Sequence, residues 1–144
     1  MSKPRETDLY PPIKRFLEDQ GYVVKSEVGA ADVVALRGAE PPVVVELKLG
    51  FSLSLFHQCV ARQSLTEDVY LAVPRQPGKR FAKAVKDNLK LARRLGLGLI
   101  TVRLRDGLVQ VHCDPGPYQP RLSKARPGAP PKEFARRQGA PQGG

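Results

Sequence analysis

Charged residues interrupt two apolar stretches in the first third of this chain, and they constrain how those stretches can fold. In the run 43–49, Glu46 and Lys48 alternate with apolar residues, and every odd-numbered position is Val or Leu. Side chains of a strand point alternately to its two faces. The pattern therefore predicts a strand with a core face and a second face that carries an acid beside a base.

A second acid, Asp32, opens the preceding apolar run, 32–37. Residues 38–42 contain one Gly and two Pro, which favours a hairpin between the two runs. If even-numbered residues pair with even-numbered residues, Val33 and Ala35 extend the apolar layer, and Asp32 shares a face with Glu46. The two carboxylates would then lie within about 5–8 Å of each other.

Two carboxylates at that distance repel unless a cation lies between them. Mg²⁺ or Mn²⁺ would relieve the repulsion, because such ions use one or two protein carboxylates and keep other positions for water and phosphate oxygens. Lys48 could then hold an attacking water or balance charge on phosphorus. The Leu47 carbonyl is a candidate further ligand. The alternative is a simple Glu46–Lys48 ion pair at a sheet edge with Asp32 solvated nearby.

The rest of the chain alternates between helical and strand patterns. Apolar spacing predicts helices over about 8–20, 53–65 and 79–95, and strands at 22–25, 32–37, 43–49, 69–74, 99–104 and 108–113. Asp106-Gly107 marks a turn between the last two strands. This order predicts an α/β domain with a mixed sheet flanked by helices and a C-terminal β-hairpin.

Asp32 followed by Glu46-Leu47-Lys48 resembles the signature of the PD-(D/E)XK nuclease superfamily, although Ala31 replaces the signature proline. In that superfamily an Asp and a Glu-x-Lys on adjacent strands bind metal for phosphodiester cleavage. The wider pattern resembles a little-characterised bacterial family of PD-(D/E)XK phosphodiesterases, through the segments 6–12, 43–48 and 70–74. The resemblance covers about 1–113 and implies a restriction-endonuclease-like core.

Two more positions fit this resemblance. Glu6 matches a first-helix glutamate that helps bind metal in related nucleases, and Glu27 is its rival for that role. Gln58 matches a glutamine beside the active site of many members. Some of those members have Tyr four residues later, where this chain has Arg62, for which we expect a phosphate contact.

The chain is basic, with 24 Lys and Arg against 14 Asp and Glu and a formal net charge of +10, which favours a nucleic-acid partner. Basic residues also line one side of the predicted helix 79–95; its stripe consists of Lys83, Lys86, Lys90 and Arg93. The stripe is a candidate nucleic-acid contact, and the alternative is a solvated helix face.

The chain changes character after residue 113. Seven of its 14 prolines lie in 114–144, together with Gly, Lys and Arg, so we expect a mostly disordered basic tail behind a nuclease-like domain at 1–113. No apolar run approaches the roughly 20 residues that cross a bilayer, and no signal-peptide segment opens the chain. We therefore expect a cytoplasmic protein without a membrane partner.

Together these features predict a Mg²⁺- or Mn²⁺-dependent nuclease acting on DNA. The resemblance implies products with a 5′-phosphate and a 3′-hydroxyl. Asp32 and Glu46 would hold metal with Glu6, Lys48 would activate the nucleophile, and Gln58 would help position the site. The alternative is a nucleic-acid-binding module of the same fold without catalysis. Members that cut both DNA strands often dimerise, so both a monomer and a homodimer stay open.

Overall fold

The computed structural model of the protein describes residues 3–26 and 32–119. A short 3-10 helix at Glu6–Leu9 leads directly into the first α-helix. The helices are α1 (Tyr10–Glu18), α2 (Leu53–Arg62) and α3 (Lys79–Leu95), and the strands are β1 (Val23–Ser26), β2 (Asp32–Leu36), β3 (Val43–Leu47), β4 (Asp68–Pro74), β5 (Gly98–Arg103) and β6 (Leu108–Cys113). The predicted order of helices and strands is confirmed, and most element ends differ by only a few residues.

The six strands form one mixed sheet in the order β1-β2-β3-β4-β5-β6. Strands β1, β2 and β3 are antiparallel neighbours, β3, β4 and β5 are parallel, and β6 returns antiparallel to β5. Parallel neighbours need a crossover, and α2 and α3 supply it between β3 and β4 and between β4 and β5. The expectation of an α/β domain with a mixed sheet flanked by helices is confirmed.

Each face of the sheet packs against its own helices. One face buries Leu9 of the 3-10 helix, together with Ile13 and Leu17 of α1, against Val45 and its neighbours. The other face packs against α2 and α3; its buried core comprises Val44, Leu55, Phe56, Cys59, Val69, Leu71, Val73, Ala92, Leu97 and Leu99. The layer that contains α2 and α3 therefore covers the face toward which the even-numbered residues of β3 point.

All five residues of β3, Val43–Leu47, are buried. The prediction of a single core face for this strand was therefore incomplete, because α1 covers one face of the sheet and the crossover helices α2 and α3 cover the other. Leu49, predicted to lie in the core, is 41% exposed because β3 ends at Leu47. The charged face of β3 thus lies in the protein interior, which changes the electrostatics of its acid.

The predicted helix 8–20 is shifted toward the N-terminus. The 3-10 turn includes Glu6, and α1 ends at Glu18, with Pro11 and Pro12 in its first turn, where a missing N–H does no harm. The third helix ends at Leu95, as predicted; Gly96 follows it with a φ of 74°, which glycine adopts without strain. No helix in the described parts of the chain is long and apolar enough to cross a membrane.

The first residues of the predicted tail lie against the domain. The Tyr70 hydroxyl donates a hydrogen bond of 2.8 Å to Asp114, and the Gly116 N–H donates to the Gly96 carbonyl. The Arg94 guanidinium lies 4.7 Å from the centre of the Tyr118 ring. The remainder of the tail, 120–144, lies outside the described residues, and its disorder stays a prediction.

Candidate active site

Asp32 and Glu46 lie directly opposite each other on the antiparallel strands β2 and β3. The predicted even-with-even register is confirmed, and directly opposite residues have Cβ atoms about 4.5–5.5 Å apart. Both residues are almost completely buried, with 4% and 3% of their surface exposed. Two carboxylates therefore share a small region beneath the α2 layer, where water can solvate them only poorly.

Arg62 bridges the two carboxylates from the last turn of α2. Its Nε donates a hydrogen bond of 2.7 Å to Glu46 Oε1, and its Nη2 donates one of 2.8 Å to Asp32 Oδ2. One guanidinium thus satisfies an oxygen of each acid in charge-assisted hydrogen bonds, which are stronger than neutral ones. The sequence predicted a phosphate contact for Arg62, whereas the structure places its side chain between the two predicted metal ligands.

Local helix structure explains this placement of Arg62. Ser52 Oγ accepts a hydrogen bond from the Leu55 N–H at the N-terminus of α2, which fixes where the helix starts. Leu55 and Cys59 are fully buried against the sheet. Arg62 follows them at a spacing of seven and three residues, so it extends the same face of the helix toward β2 and β3. That spacing is the sequence signal that could have placed Arg62 on the sheet-facing side of α2.

Burial and the nearby charges together raise the pKa of the Glu46 carboxyl. Burial raises the pKa of its carboxyl, and the nearby Asp32 charge raises it further. The hydrogen bond from Arg62 acts in the opposite direction, as do the charges of Arg62 and Lys48. One guanidinium against two carboxylates leaves a formal charge of −1 when both acids are ionised, so the pair still attracts a cation.

Lys48 lies just beyond β3 and points toward the N-terminal 3-10 helix. Its Nζ is 3.9 Å from Glu6 Oε1, and both side chains are about one-third exposed. Its backbone N–H donates to the Ala72 carbonyl, which keeps Lys48 attached to the sheet. Lys48 is also close enough to Glu46 for its charge to lower the pKa of that acid. The structure thus brings Glu6, Lys48 and Glu46 into one neighbourhood.

The role of Glu6 as a metal ligand stays a prediction. In residues 3–26 and 32–119, no group of three or more His, Cys, Asp or Glu side chains could hold a metal ion. The rival residue, Glu27, lies outside the described residues. Leu47 ends β3 with its side chain in the α1 core, and the role of its carbonyl stays a prediction. The described part of the chain therefore offers a two-carboxylate site with a lysine beside it.

The other predicted contact residues lie on the helices that cover the site. Gln58 is exposed on α2, one turn before Arg62, and therefore lies along the same side of that helix. The basic stripe on α3 is exposed, and α3 packs on the same face of the sheet as α2. Asp87 interrupts that stripe, because the Lys83 ammonium lies 2.8 Å from its carboxylate.

The reactivity of Cys59 measures how tightly α2 packs, because the thiol is buried between this helix and the sheet. The thiol is fully buried, and burial together with the charge of Glu46 raises its pKa to about 12. We expect Cys59 in the folded protein to resist alkylation by iodoacetamide at pH 8, because only the thiolate reacts. Cys113 is less buried and should react first. Mass spectrometry of the labelled protein measures both rates, and fast labelling of Cys59 would contradict this packing.

No protein-family model matches this chain, and no curated protein matches it either. The functional interpretation of the site therefore depends on its own geometry and chemistry.

Proposed function

We propose that this protein is a metal-dependent phosphodiesterase with a restriction-endonuclease-like core, and that it hydrolyses DNA with Mg²⁺ or Mn²⁺. The observation that supports this most directly is the pairing of Asp32 with Glu46 in neighbouring strands, both buried and both facing α2. A buried pair of acids is costly to a fold unless it binds a cation. Lys48, two residues after Glu46, adds the cationic group that phosphodiester chemistry needs.

The donor set suits a hard divalent ion. Carboxylate oxygens are the preferred ligands of Mg²⁺, which commonly uses one or two of them and takes its remaining ligands from water and phosphate. Asp32 and Glu46 would hold the ion, with Glu6 near enough to Lys48 to assist from the open side. When bound, such an ion supplies Lewis-acid stabilisation of the charge that develops on the phosphodiester.

The chain's own side chains supply the remaining functions of the proposed site. Lys48 is partly exposed and close to Glu46, so its ammonium can orient the attacking water or neutralise a phosphoryl oxygen. Gln58 lies one turn from Arg62 and can contact the DNA backbone. Burial of Asp32 and Glu46 keeps their carboxylates fixed in position while the substrate binds.

Charge supports DNA as the substrate. The formal net charge is +10, and the exposed basic residues of α3 lie on the side of the sheet that carries the proposed site. Contacts between such residues and phosphates release counterions and do not depend on sequence. We therefore expect the protein to bind DNA through this surface without strong sequence preference.

Three basic residues of α3 should each add a phosphate contact to that binding. We expect a Lys86→Ala, Lys90→Ala, Arg93→Ala variant to make the slope of log affinity against log salt less negative by about 2 to 3, because each phosphate contact contributes about −0.9 to it. Lys83→Ala is the matched control, since Lys83 is held by Asp87 and should change the slope less. Fluorescence anisotropy with a labelled duplex measures the slope. An unchanged slope in the triple variant would make this surface an ordinary solvated face.

A second candidate function is a nucleic-acid-binding module without catalysis. The observation in its favour is the Arg62 bridge, which already supplies a cation to both carboxylates. Such a protein would bind DNA in the presence or absence of divalent metal and would leave it intact.

Incubation of the purified protein with branched, nicked, single-stranded and duplex DNA separates the two functions. We expect cleavage of at least one substrate with Mg²⁺ or Mn²⁺ and none with EDTA. Lys48→Ala should abolish cleavage, whereas Glu67→Gln should not, because Glu67 is an exposed acid near the opposite end of the central strands. Cleavage that persists in EDTA or in Lys48→Ala would contradict the proposal. Binding without cleavage under every metal would favour the second function.

A further inference from the structure

We propose that Arg62 and a divalent ion compete for the Asp32–Glu46 pair, so that Arg62 keeps the site closed until a substrate phosphate draws its guanidinium away. This inference rests on the proposed function and adds a form of regulation to the same site. It makes Arg62 a residue with two alternative partners, the buried acids before substrate binds and a phosphate afterwards.

The contacts place the guanidinium where a shared ion would lie. Arg62 reaches Glu46 Oε1 at 2.7 Å and Asp32 Oδ2 at 2.8 Å through two different nitrogens. Each of these bonds occupies one of the two oxygens of a proposed metal ligand. A guanidinium and a divalent ion cannot lie between the same two acids, because they would overlap in space and repel each other. Binding of the metal therefore requires Arg62 to leave at least one carboxylate.

Burial decides which partner moves. Asp32 and Glu46 belong to paired strands within the sheet and are at most 4% exposed. The Arg62 side chain is 36% exposed and extends from the last residue of α2. A long arginine side chain at a helix end can swing into solvent without disturbing the core, whereas the carboxylates cannot leave their strands. The acids therefore stay in place and the arginine moves.

A phosphate offers Arg62 a replacement partner of equal quality. The planar guanidinium makes bidentate hydrogen bonds to phosphate as well as to carboxylate. Once it moves, no guanidinium charge offsets the two carboxylates, so they attract the divalent ion more strongly. DNA and metal should therefore strengthen each other's binding, and linkage requires this coupling to be reciprocal. Such an enzyme has a weak metal site until substrate is present.

Direct metal binding tests the competition without any measurement of cleavage. Free Mn²⁺ is followed by electron paramagnetic resonance during titration of the wild-type protein and of Arg62→Met, which keeps the apolar length but removes the charge. We expect Arg62→Met to bind Mn²⁺ more tightly by about 5- to 150-fold, the range of typical site–site coupling. The Asp32→Asn, Arg62→Met double variant is the control and should lose this gain.

A second measurement follows the wild-type protein and does not depend on how Arg62→Met folds; Arg62→Lys serves only to assign the signal. The Arg62 Nε–H, which donates to Glu46, should give a protected NMR signal that is absent in Arg62→Lys. Mg²⁺ with inorganic phosphate should remove the protection. Equal Mn²⁺ affinity in wild type and Arg62→Met, or a protected signal at metal saturation, would overturn the competition and leave the proposed function intact. Absence of Mn²⁺ binding to every form would overturn both.

Discussion

Glu46→Gln should reduce DNA cleavage by about 100- to 1,000-fold while leaving the protein at least as stable as the wild type. The amide cannot supply the negative oxygen that a divalent ion needs. The expected loss in rate corresponds to about 3–4 kcal/mol of transition-state stabilisation by the ion. The amide oxygen can still accept the Arg62 hydrogen bond, so the packing is preserved. Steady-state cleavage rates and urea unfolding measure the two effects.

The stability part of this prediction has a definite sign. Burial raises the pKa of Glu46 above its ordinary value, so the folded chain binds this proton more readily than the unfolded chain does. Without metal, the wild-type free energy of unfolding should therefore rise as the pH falls through the raised pKa toward the ordinary value. Glu46→Gln lacks this group and should lack its share of that rise. A loss of activity accompanied by unfolding would mean that Glu46 supports the fold instead of the chemistry.

Arg62→Ala should have the largest effect on stability among changes at the site. Removal of one partner from a buried ion pair costs about 3–5 kcal/mol, because it leaves an uncompensated buried charge. The Arg62 side chain is 36% exposed, so water already screens part of this interaction. We therefore expect a loss of about 2–3 kcal/mol in the free energy of unfolding without metal, measured by urea denaturation.

Three comparisons separate the loss of the bridge from the general effect of removing a helical arginine. Arg80→Ala removes an exposed arginine from α3 and should change stability by less than about 0.5 kcal/mol. Adding Asp32→Asn to Arg62→Ala should recover part of the loss, because one repelling charge disappears. Mg²⁺ should also stabilise Arg62→Ala more than wild type, since a ligand that binds the folded state stabilises it. Equal effects of Mg²⁺ on both proteins would contradict a shared cation site.

Much of the fold could be predicted because its signals are local. The alternation of apolar and charged residues in 43–49 identified a strand and the face that its acid occupies. The same parity predicted that Asp32 pairs with Glu46, since a shift by one residue would move Val33 out of the apolar layer. Glycine and proline marked the turns at 38–42 and 106–107. These features depend on neighbours within a few residues, which a sequence displays directly.

Contacts between distant elements were harder to predict. The sequence contains Arg62 on the buried face of a helix, yet nothing local states which strands that face covers. Lys48 lies near Glu46 and also 3.9 Å from Glu6, and that second contact depends on where the N-terminal 3-10 helix packs. The second apolar layer over β3 also depends on where α2 and α3 pack. Each of these depends on the relative placement of whole elements.

The sequence by itself determined that Asp32 and Glu46 share one face of adjacent strands, because side-chain alternation and the apolar layer require even-numbered residues to pair with even-numbered residues. Only the tertiary structure decided that this face is buried and that Arg62 lies between the two acids. The crossover that returns the chain to β4 places α2 above them, so the packing of Leu55 and Cys59 carries the guanidinium to a pair of residues 16 and 30 positions away. Local patterning thus creates the charged pair, and helix packing selects the cation that it holds.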